Sequence, residues 1–136
     1  MPETKPDVFQ AMVAGKISDI KRAVDEIEAE IGERTGIDAA VLAEIQNEIL
    51  EVRNRMLEVE QFSGTVHGEH PFPKVDVLER EIVELEGQRR NEKVSCWRDL
   101  TALRRELRVY MKELNDLMRK AELVKNDSSG RFAKEA

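Results

Sequence analysis

The sequence predicts an all-α protein built as a long antiparallel coiled-coil hairpin. Three observations predict it. Apolar residues recur at alternating spacings of three and four along most of the chain. One segment rich in proline and glycine divides the chain near its middle. Charged residues make up 37% of the chain and aromatics 4%, which suits thin helical seams lined by Leu, Ile, Val and Met and not a thick globular core. The 136 residues suffice for one domain.

The first helix is expected to start near Asp7, an N-cap candidate behind Pro6, with residues 1–6 as a flexible N-terminus. Val13, Ile17, Ile20, Val24, Ile27 and Ile31 then form a coiled-coil seam. Gly32 and Gly36 interrupt the pattern and suggest a C-cap, with Thr35 or Asp38 capping a following helix. The seam resumes with Leu42, Ile45, Ile49, Val52, Met56 and Val59 and ends at Phe62.

Residues 63–74 are the connecting loop, because Gly64, Gly68, Pro71 and Pro73 forbid a continuous helix. The second arm begins near Val75 or Asp76 and carries Leu78, Ile82 and Leu85. The pattern weakens through residues 88–93, where Arg89 and Glu92 stand at seam positions. It recovers with Cys96, Leu100, Leu103, Leu107, Tyr110, Leu114, Leu117 and Ala121. Residues 126–136 read as a disordered C-terminal tail, so the helical domain spans 7–125.

Two architectures fit this pattern. Ile31 and Leu42 are 11 residues apart, as are Cys96 and Leu107; each spacing is a heptad plus a four-residue stutter. Folding the chain at 67–70 brings the stutters opposite one another, which favours two long arms with the first kinked at 32–37. Reversal at 32–37 instead pairs Ile27 with Leu42 and Val24 with Ile45, giving a compact three- or four-helix bundle.

The formal net charge of −6 is uneven: −8 over residues 1–70, −3 over 71–87 and +5 over 88–136. Opposite signs favour packing of the first arm against the last, within a chain or between chains. Arg98, Arg105, Lys112 and Arg119 recur every seven residues beside Arg108, making a basic stripe. It lacks aromatics for base stacking, so a solvated face comes first, an acidic protein surface second and nucleic acid third.

Leu50 and Leu57 lie one heptad apart off the main seam, and Met111 and Met118 do the same in the second arm. A two-stranded hairpin needs only its own seam, so extra apolar stripes imply further helices and point to a homodimer or larger assembly. Cys96 and Trp97 read as packing groups, Cys96 as an inert buried thiol. In the loop, Val66 and Phe72 are candidates for contact with a partner at the tip.

His67 and His70 flank Glu69 and offer a weak possibility of a metal site, against the simpler reading of a polar hairpin tip. The pattern contains no phosphate loop, nucleophile elbow or helical Glu-x-x-His pair, so neither catalytic residues nor a cofactor are expected. The N-terminus lacks the apolar core of a signal peptide, no run is long enough to span a membrane, and the single cysteine excludes an internal disulfide; the cytoplasm is the expected compartment. These readings converge on a non-enzymatic structural or adaptor protein. A nucleic-acid accessory factor is the alternative, and a metal-binding helical protein comes third.

Overall fold

A computed structural model describes the backbone of residues 4–63 and 75–135 and the side chains of residues 8–61 and 75–125. The chain is an all-α helical hairpin of two long helices packed against each other, α1 (Thr4–Ser63) and α2 (Val75–Glu135). The bundle that reverses at 32–37 is therefore excluded, because α1 runs through that segment without a break.

The glycines do not end α1, and neither Thr35 nor Asp38 caps a second helix, because the chain stays helical through all four residues. No proline follows, and the surrounding Glu33, Arg34, Ile37, Ala39 and Ala40 are all compatible with helix. A Cβ built on Gly32, Gly36 or Gly87 would meet nothing within 4 Å, so none of them answers a steric demand. Both expected ends also shift. α1 starts at Thr4, placing Pro6 in the first turn where its missing N–H costs little. α2 continues to Glu135 and so passes the 126 boundary, with no proline beyond it to force an end. At its start, Asp76 sits in the first turn, where a carboxylate complements the helix dipole.

The hairpin divides into two compact units. One comprises Glu33–Leu100 and the other comprises Met1–Gly32 with Thr101–Ala136. In the Glu33–Leu100 unit, Ile45, Ile49, Val52, Leu78 and Leu85 form the core, lined by Val41, Met56, Val59 and Ile82. Ile49 and Leu78 are each 1% exposed, so truncating either to Ala should cost about 2–5 kcal/mol. In the other unit, Ile20, Val24 and Leu114 are buried, with Ile17, Leu107, Tyr110 and Leu117 packed against them. The order of residues in each core is antiparallel, as the hairpin requires. Among the described residues, every buried core residue except Cys96 is aliphatic, and each falls at a seam position read from the spacing.

Candidate protein-interaction surfaces and the polar layer

The seam of the Glu33–Leu100 unit is not apolar throughout. Spacings of three and four carry it from Arg34 through Asp38 and Val41 to Ile45 on α1, and from Leu85 through Arg89 and Glu92 to Cys96 on α2. Val41 and Leu42 are both half-buried, as expected where a stutter shifts the phase of a seam. Arg34 and Asp38 thus stand half-buried at the seam in the turns flanking Gly36.

Arg34 ties this layer together. Its Nη1 donates to Glu92 Oε1 at 2.8 Å and its Nε donates to Asp99 Oδ2 at 2.8 Å. The Arg34 and Glu92 side chains are 17% and 19% exposed, whereas Asp99 is 53% exposed. The hydrogen bonds to Asp99 and Glu92 push the Arg34 guanidinium above its ordinary range, so it stays charged. One turn before Glu92, Arg89 Nη1 donates to Gln46 Oε1 at 3.2 Å. The charges expected at Arg89 and Glu92 are therefore both partnered, one by an amide and one by a guanidinium. A looser, exposed pair joins Arg53 to Glu86 at 3.9 Å.

Cys96 is buried in this layer. Burial pushes its thiol up, and the nearby Asp38 carboxylate adds to the effect, partly offset by Arg34. Asp38 Oδ1 is itself buried without a hydrogen-bond partner. The expected inert thiol fits this setting, since reactivity belongs to the thiolate. Trp97 does not behave as expected: it is 65% exposed. A neighbour in sequence is turned about 100° round a helix, so Cys96 and Trp97 cannot both face one narrow seam.

The off-seam residues are on the surface. Leu50 is 47% and Leu57 58% exposed in the Glu33–Leu100 unit. Val83, Val94 and Trp97 are exposed on α2 in the same unit. Met111 and Met118 are exposed in the other unit, as are Val8, Phe9, Met12 and Leu123. There, Phe9, Val13, Ile17, Ala121 and Val124 line an open cleft of about 330 Å³. Arg105, Arg108, Lys112 and Arg119 are exposed in that unit, and Arg98 is exposed in the Glu33–Leu100 unit.

Among the described residues, no group of three His, Cys, Asp or Glu side chains could hold a metal ion. His67, His70, Val66 and Phe72 lie outside the described residues. No described helix is long and apolar enough to cross a membrane.

Fold and seam together define a helical-hairpin protein with a half-buried polar layer along its seam and apolar stripes on its surface. The chain belongs to the family of unknown function DUF8104, which matches residues 11–126. That span contains the whole seam from Val13 to Val124. No curated protein and no solved structure matches the chain.

Proposed function

We propose that the protein is a non-enzymatic structural or adaptor coiled coil that associates with itself and makes protein contacts within a larger assembly. The observation that carries this reading is the exposure of Leu50 and Leu57 on a helix whose opposite face is already filled by α2. Apolar residues repeating at heptad spacing outside a completed seam suit a further helix. Met111 and Met118 offer a second such surface.

The exposed Arg105, Arg108, Lys112 and Arg119 favour an acidic protein surface as an additional contact. Nucleic acid is the alternative ligand for this stripe. It would show as binding to duplex DNA or RNA that weakens steeply with salt.

The experiment replaces Leu50 and Leu57 with Glu in the full chain and follows sedimentation velocity at tens of micromolar. The double variant should sediment as a monomer with wild-type helicity, because a buried unpaired carboxylate is costly while an exposed one is not. Unchanged association would remove this stripe from the interface.

A further inference from the structure

The stripe containing Leu50 and Leu57 is longer and more ordered than two leucines. Ala40, Ala43, Asn47, Leu50, Asn54, Leu57 and Gln61 follow one another at spacings of three and four, and all seven are exposed. None is charged, on a helix where most other exposed side chains are. At about 100° per residue, the stripe lies nearly opposite Ile45, Ile49, Val52, Met56 and Val59, which face α2. α1 therefore carries two seams, and the hairpin fills only one.

The second seam has a coiled-coil grammar. With Leu50 and Leu57 at the d positions, Asn47 and Asn54 fall at a. Leucine at d supplies the packing, and asparagine at a fixes register and strand number at a cost in stability, because it is satisfied by a matching asparagine across the interface.

The flanking charges choose the orientation. Glu44, Glu51 and Glu58 occupy successive e positions, and Ala39, Gln46, Arg53 and Glu60 occupy g. An antiparallel pair sets e against e, which would oppose these glutamates with one another. A parallel pair sets each g against the next e of the partner. Ala39 then meets Glu44, Gln46 meets Glu51 and Arg53 meets Glu58. Arg53 is 53% exposed, and its ion-pair contact among the described residues is with Glu86 at 3.9 Å, so it is available for that pairing. Like charges in register are destabilising, so the parallel arrangement is favoured.

Resting on the self-association reading above, we propose that the occupant of this seam is a second copy of the chain. It lies parallel and in register along residues 40–61 of α1, with Asn47 and Asn54 each facing its own counterpart. The dimer is two-fold about an axis along α1, and the two α2 helices lie on its outer sides.

Site-directed cross-linking of the full chain tests this. Cys96 is replaced by Ser, and Asn54→Cys is introduced as the probe, with Arg55→Cys as the control one position round the helix. Under mild oxidation, Asn54→Cys should form a disulfide-linked dimer and Arg55→Cys should not. Asn47→Ile with Asn54→Ile should raise the melting temperature and the dimer affinity, since a buried polar layer is being replaced by packing. A dimer that cross-links at neither position, or at both alike, overturns the parallel seam but leaves self-association standing. A monomeric wild type overturns both and assigns the stripe to an unlike partner. Increased aggregation of the isoleucine variant with no gain in melting temperature also counts against the proposal.

Discussion

Arg34 Nη1 lies 2.8 Å from Glu92 Oε1 inside the seam of the hairpin, joining α1 to α2 at the turn where glycine would be expected to end the first helix. The same guanidinium reaches Asp99, one heptad beyond Glu92. This relationship fixes which turn of α1 faces which turn of α2 in the Glu33–Leu100 unit.

Removing one side of the pair should therefore be worse than removing both. Arg34→Leu is expected to lower the melting temperature, because Glu92 remains in the seam without its cation. Arg34→Leu combined with Glu92→Leu should recover wild-type stability or exceed it, as often happens when a buried ion pair is replaced by apolar packing. Thermal denaturation of the two single variants and the double variant gives the coupling. Strictly additive effects would show that the pair does not act as a unit.

Gly32 offers a test of the continuous helix. With open space around its Cβ position, Gly32→Ala should stabilise the protein by about 0.5–1 kcal/mol, the difference between the two residues inside a helix. Urea denaturation measures it. A loss of stability would mean that this glycine adopts a conformation alanine resists, and that α1 breaks there.

The Cys96 thiol should react with iodoacetamide much more slowly in the folded protein than in urea, because burial and Asp38 disfavour the thiolate. The sign of the linked pH effect follows. The folded state holds the thiol proton more tightly than the unfolded state does. The resulting stability is fully present below the ordinary thiol pKa of about 8.5 and is lost as pH rises through that value toward the folded one. Comparing wild type with Cys96→Ala should thus show a melting-temperature difference that declines above about pH 8.5. A difference that grows with pH would contradict the assignment.

Most of the fold was legible in the sequence because a coiled-coil seam states its period residue by residue. Val13 to Ile31, Ile45 to Val59 and Leu78 to Leu85 all fall where their spacing places them. The expected break at 32–37 does not occur: Gly32 and Gly36 mimic a cap, and the charged Arg34 and Asp38 disguise a seam that runs on through the segment. The spacing does continue through them, from Ile31 to Arg34, Asp38 and Val41. What period alone could not give is that Arg34 would find two carboxylates on α2, since pairing across helices depends on register. For Trp97 residue type and phase disagree, and phase wins: the helical wheel turns it away from Cys96 and it is exposed. The surface stripe was half visible through Leu50 and Leu57, while Asn47 and Asn54 join it only when the outer seam is phased against the inner one.

Self-association is tested by the mass of the full wild-type chain in solution, measured by sedimentation equilibrium at tens of micromolar. Self-association through α1 predicts twice the 15.6 kDa chain mass, with dissociation on dilution. A mass that stays at 15.6 kDa across that range would contradict it.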